Sequence, residues 1–86
     1  VYKINILEEA IKELNRLDRS VAVRILKKLN WLAENLNDIN SERLSADLAE
    51  FYKLRVGSYR IIYEIFQDEK LIIIHAIGHR KEIYKR

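Results

Sequence analysis

The chain has 86 residues, 49% of them apolar and 34% charged, which suffices for a packed core in a single domain spanning residues 1–86 and leaves no room for a second. It has no cysteine, which excludes a disulfide framework and a thiolate metal site, and its longest apolar run, Leu71 to Ile74, is far short of a membrane span, so a soluble cytoplasmic protein with no membrane contact is expected. The net charge of +3 is uneven, −1 over residues 1–50 and +4 over residues 51–86, and a basic half of this kind suits a one-sided anionic partner such as nucleic acid.

In chain order, Val1 to Ile6 alternates apolar and polar residues and predicts a short strand, with Asn5 placed to cap a following helix and Glu8 as its capping-box partner. Leu7, Ala10, Ile11, Leu14 and Leu17 then recur at helical spacing, leaving Glu8, Glu9, Lys12, Glu13 and Arg16 on the other face of a helix of about three turns. Asp18 and Ser20 can cap a second helix, whose apolar stripe is Ala22, Ile25, Leu26, Leu29, Leu32, Ala33 and Leu36. The short link predicts an antiparallel helical hairpin. Trp31 lies off that stripe and either covers the helix flank or marks a docking surface. Residues 37–50 read as a polar loop and an irregular approach to the next element.

Phe51 to Tyr63 is the most informative stretch. Large apolar and charged residues alternate on both sides of Gly57-Ser58, which suits a hairpin closed by a type II′ turn. Val56 then faces Tyr59, Arg55 faces Arg60, Leu54 faces Ile61, Lys53 faces Ile62 and Tyr52 faces Tyr63. Leu54, Val56, Tyr59, Ile61 and Tyr63 share one face, while Lys53, Arg55 and Arg60 share the other. Like charges directly opposite each other in an antiparallel pair are destabilising, so packing alone gives no reason for this cluster, and an anion is its natural ligand.

Leu71 to Ile77 is a β-branched run that suits a central strand covered on both faces. Pairing Phe66 with Leu71 places Ile77 beside Arg60 and Gly78 beside Tyr59, so that Gly78 to Arg86 leaves the sheet near the cations, with Gly78 free to turn. The predicted fold is an α+β domain, with an N-terminal strand and a helical hairpin packed on one face of a mainly antiparallel sheet and the cations on the other.

The segment Tyr52 to Tyr63, followed by Gly78-His79-Arg80-Lys81-Glu82-Ile83-Tyr84, resembles the RelE branch of the RelE/ParE toxins, and the likeness covers nearly the whole chain. The resemblance implies a toxin that cleaves mRNA in the ribosomal A site, partnered by a RelB-like antitoxin in a hetero-oligomeric complex. By motif, the family's basic positions fall on Lys53, Arg55, Arg60 and Arg80, with Arg55 standing where a lysine is common, and its C-terminal tyrosine falls on Tyr84. The gyrase-directed ParE branch shares the fold and a similar hairpin, and a plain nucleic-acid or protein binding module is a third reading. Metal-free RNA cleavage needs attack by the 2′-hydroxyl on the adjacent phosphate, proton transfer at both oxygens and charge relief on the phosphorane. Arg55, Arg60 and Arg80 can hold the phosphate, with Lys53 as a point charge. Tyr84 is a candidate base, because neighbouring cations lower a phenol's pKa from about 10. His79 competes for that role and is an auxiliary candidate, whereas His75 reads as a packed or hydrogen-bonded strand residue. This chemistry calls for no cofactor, and two histidines without a carboxylate cluster do not suggest a metal site.

Overall fold

The β-branched run that begins at Leu71 forms the longest strand, and the sheet is laid out on either side of it. The structure is a computed structural model that describes residues 1–39, 42–43 and 51–83, with only the backbone of Glu42 and Arg43. The elements are β1 (Lys3–Ile6), α1 (Glu8–Asn15), α2 (Arg19–Asn35), a 3₁₀ turn (Leu36–Asp38), β2 (Glu42–Arg43), β3 (Phe51–Val56), β4 (Tyr59–Phe66), β5 (Leu71–His79) and α3 (Arg80–Ile83). In space the strands run β1-β5-β4-β3-β2, with β1 parallel to β5 and every other pair antiparallel.

One sheet face carries the core. Ile61 and Tyr63 of β4 and Ile72, Ile74 and Ile77 of β5 are sealed beneath Ala10 and Leu14 of α1 and Ile25, Leu29 and Leu32 of α2. The α+β arrangement expected from the sequence is therefore observed, with the helices on one face. The strand from Leu71 is central as expected, but its burial alternates, so it is not covered equally on both faces.

The β3–β4 register agrees with the sequence reading pair for pair, from Val56 opposite Tyr59 to Tyr52 opposite Tyr63. Gly57 has φ +59° and Ser58 is not left-handed, the combination that a type II′ turn demands. The left-handed φ is what requires glycine at this position; an added Cβ would also meet the tip of the flexible Arg24 side chain, Nη2 at 3.3 Å.

Four expectations change. The first concerns the β4–β5 ladder, which starts with Phe66 opposite Leu71 and then shifts between Ile62 and Tyr63, because His75 is an extra, unpaired residue between Ile74 and Ala76. Beyond this bulge Gly78 faces Arg60 and His79 faces Tyr59, one residue away from the predicted pairing. Gly78 is part of the strand, and the chain turns at Arg80 instead.

The second concerns the start of α1. Leu7 occupies its N-cap without a side-chain cap, because Asn5 is engaged in β1 opposite Ile73, and the helix spans eight residues. Third, Ala10, Glu13 and Leu14 face inward while Ile11 is 43% exposed, and on α2 Leu26 is 42% exposed. The buried Glu13 answers a need of the sheet: β1 ends opposite Ile74, and farther along β5 the Ile77 N–H donates to Glu13 Oε1 at 3.1 Å. Fourth, Glu42–Arg43 adds a short edge strand to β3 within a stretch read as loop, whereas the irregular approach at residues 45–49 lies outside the described residues.

Replacing Glu13 by Ala leaves a buried N–H on β5 without its acceptor, a loss of about 1–3 kcal/mol. Thermal denaturation of Glu13→Ala should show Tm lowered by roughly 5–15 °C. Glu13→Gln, which keeps an acceptor oxygen, should lose less than half as much.

A cationic sheet face as the candidate functional site

The site follows from alternation along the β3–β4 hairpin. With Leu54, Val56, Tyr59 and Ile61 turned toward the helices, Lys53, Arg55 and Arg60 must point away from them. Arg55 and Arg60 are direct cross-strand partners, and Lys53 is one step down the same face, opposite Ile62. Arg55 is exposed, while Lys53 and Arg60 are half-buried.

Arg60 is held in place by the turn itself. Its Nη1 donates to the carbonyls of Gly57 and Tyr59, each at 2.9 Å, so one edge of the guanidinium is tied to the backbone. This fixes a planar cation whose fork geometry suits phosphate oxygens. The sequence alone makes Arg60 a pure liability beside Arg55, but the structure gives it a share in bracing the hairpin.

The other candidates divide. The Arg80 N–H donates to the Ser58 carbonyl at 2.8 Å, which ties the first residue of α3 to the hairpin turn and brings exposed Arg80 to the same end of the sheet as Arg55 and Arg60. His79 goes elsewhere. It pairs with Tyr59, meets that ring edge-on at 5.5 Å between centroids, and accepts the Lys81 N–H on Nδ1 at 3.1 Å. Its ring therefore lies on the helix side, lining a cleft of about 290 Å³ with Glu13, Arg16, Leu17 and Glu82. Tyr84 lies outside the described residues.

Tyr52, Tyr59 and Tyr63 pack toward the core, as alternation predicts. His75 is a hydrogen-bonded strand residue: its Nε2 sits 2.8 Å from Glu64 Oε1, and its ring meets Phe51 edge-on at 4.9 Å. Trp31 is 38% exposed, with the Lys28 ammonium 3.9 Å above its ring. Arg24 is a cation that sequence reading misses. The tip of its side chain comes to the turn at Gly57, a tertiary proximity with no local signature. Among the described residues no three His, Cys, Asp or Glu side chains are grouped to hold a metal ion, and no helix is long and apolar enough to cross a membrane.

Residues 4–84 match the family model described as the ParE toxin of the type II toxin–antitoxin system parDE. A Methanocaldococcus jannaschii protein named as toxin RelE1 is 31% identical over 90 residues, a match covering 98% of this chain and 96% of that protein. The mRNA interferase toxin RelE of Escherichia coli K12 is 28% identical over 86 residues, covering 96% of this chain and 90% of its own length. Among solved structures, the archaeal RelE–RelB complex from Pyrococcus horikoshii contains a chain that is 26% identical, with a TM-score of 0.71, covering 94% of this chain and 97% of that one.

The geometry sets an expectation for anion binding. If Arg55 and Arg60 together contact one phosphate, then the double substitution Arg55→Ala/Arg60→Ala should flatten the log–log salt dependence of affinity for a single-stranded RNA oligonucleotide by about 0.7, and not by twice that. Tm should move by less than about 5 °C in Arg60→Ala, because relief of repulsion offsets the lost turn contacts. Filter binding across a salt series, with parallel melts, checks both.

Proposed function

On the premise that this chain belongs to the RelE/ParE superfamily of type II toxins, in its RelE-like branch, we propose that it is a ribosome-dependent endoribonuclease that cuts mRNA in the A site. The observation that carries this reading is the hairpin face, where Arg55 and Arg60 stand side by side with Lys53 one step away and Arg80 at the same end. Such a surface can bind a phosphate and absorb the negative charge that builds on a phosphorane. The E. coli relative named as an mRNA interferase supports the reaction class.

In this mechanism Arg60, with one edge tied to the turn, presents its remaining N–H groups to the scissile phosphate. Arg55 and Arg80 complete the cationic lining, and Lys53 adds a point charge. Proton abstraction from the 2′-hydroxyl is assigned to Tyr84, the position on which the family's C-terminal tyrosine falls. Because His79 lies on the opposite side of the sheet from Arg60, it is the weaker candidate for the base. The chemistry uses no metal. The ribosome's part is to bring the 2′-hydroxyl into line with the phosphate, since a flat cationic face alone does not orient a flexible strand.

The same reading gives a cytoplasmic protein that acts as one domain and is neutralised by a RelB-like antitoxin in a hetero-oligomer, as the RelE–RelB assembly of the Pyrococcus horikoshii relative suggests. The ParE description of the family model favours a second reading, the gyrase-directed branch that the hairpin also resembles. Purified protein added to translating ribosomes should give primer-extension stops within A-site codons and leave supercoiling by gyrase untouched. Inhibited supercoiling without stops would favour the gyrase reading.

Tyr84→Phe should lower single-turnover cleavage on programmed ribosomes by roughly 10²–10⁴-fold with little change in ribosome affinity. His79→Gln should cost less than tenfold by the same assay. Efficient cutting of a free oligonucleotide by the unaltered protein would contradict the ribosome's positioning role.

A further inference from the structure

The bulge in β5 builds a second polar group on the cationic face. His75 is the unpaired residue, so His75 and Ala76 both fall on the outer side before Ile77 returns to the core. There the His75 Nε2–H donates to Glu64 Oε1 at 2.8 Å, with side-chain exposures of 31% and 23%. Phe51 faces Glu64 across the ladder and meets the His75 ring edge-on at 4.9 Å. A carboxylate is thus fixed in direction, with apolar ring surface beside it, on the face that also carries Lys53, Arg55, Arg60 and Ile62.

Distance decides what this group can do. Glu64 lies four residues along β4 from Arg60, about 13 Å at strand rise. That is too far for proton transfer at a phosphate held by Arg60, which needs hydrogen-bond reach or one intervening water. Lys53 lies between them on the facing strand, opposite Ile62, so an RNA strand whose phosphates meet Arg60 and Lys53 along this face would carry a base past Glu64. An ionised carboxylate only accepts, so it selects a base edge that donates. Guanine alone offers two adjacent donors there, N1–H and the N2 amino group, to match two carboxylate oxygens.

We infer that Glu64, positioned by His75 and flanked by Phe51, is a base-reading subsite that favours guanine in the mRNA segment lying across the hairpin face. The inference rests on the mRNA-cleaving reading and names its specificity determinant. Glu64 makes the contact, and His75 is a positioning residue that acts by aiming the carboxylate.

The test is single-turnover cleavage on ribosomes programmed with mRNAs whose A-site codons differ at one base at a time. At one codon position the protein should cut the guanine codon roughly tenfold or more faster than those with adenine, cytosine or uracil. Glu64→Gln and His75→Leu should each shrink that ratio to within about threefold. Equal cutting of all four bases at every position by the unaltered protein overturns the subsite, as does a preference that survives both substitutions. A uniform fall across all codons in the variants also overturns it, because it assigns these residues to folding or chemistry. Absence of any cut by the unaltered protein overturns the mRNA-cleaving reading instead, so the two failures are distinguishable.

Discussion

The structure turns on the two-residue connection at Gly57-Ser58. A left-handed φ at Gly57 followed by an ordinary one at Ser58 closes the hairpin in the type II′ sense, and that closure sets every pair from Val56 with Tyr59 to Phe51 with Glu64. Because side chains alternate, a slip of one residue with β4 held by its buried Ile61 and Tyr63 would turn β3 over, burying Lys53 and Arg55 and exposing Leu54 and Val56. The apolar set thus fixes the register, and the register forces two arginines together. The repulsion is tolerated because Arg60 is folded back onto the turn carbonyls, where each hydrogen bond contributes about 0.5–1.5 kcal/mol.

From this register follows a division of labour between the two faces. The helix side holds the packed tyrosines and isoleucines, and also His79, which is engaged by Tyr59 and the Lys81 N–H. The outer side holds the cations and the Glu64–His75 pair. The Arg80 N–H, at the start of α3, donates to the Ser58 carbonyl, so the chain after β5 is anchored to the hairpin turn. A change that loosens the turn would therefore disturb both the arginine pair and the position of Arg80.

Much of this was legible because it depends on local chemistry. Alternation and one glycine suffice for the β3–β4 register, and from that register come the shared face of Lys53, Arg55 and Arg60 and the packing role of the tyrosines. What escaped the sequence depends on neighbours distant in the chain. The bulge at His75 has no glycine, proline or other turn residue to announce it, since none stands between Leu71 and Ile77, and it moved Gly78 and His79 by one position. Glu13 reads as a surface residue until β1 is seen to end opposite Ile74, leaving the Ile77 N–H to find a side-chain acceptor. Asn5 looked like a cap because strand pairing to β5 is invisible locally. Arg24 reaches Gly57 only through the placement of α2.

The central claim is that Arg55 and Arg60 act together on one phosphate of a ribosome-bound mRNA. A double-mutant cycle of Arg55→Ala and Arg60→Ala, read by single-turnover cleavage on programmed ribosomes, tests this most directly. Two groups serving one phosphate should be strongly coupled, so each single substitution should cost most of the activity and the double variant little more than either. Independent, multiplicative losses, or a double variant that cuts as fast as the unaltered protein, would contradict it.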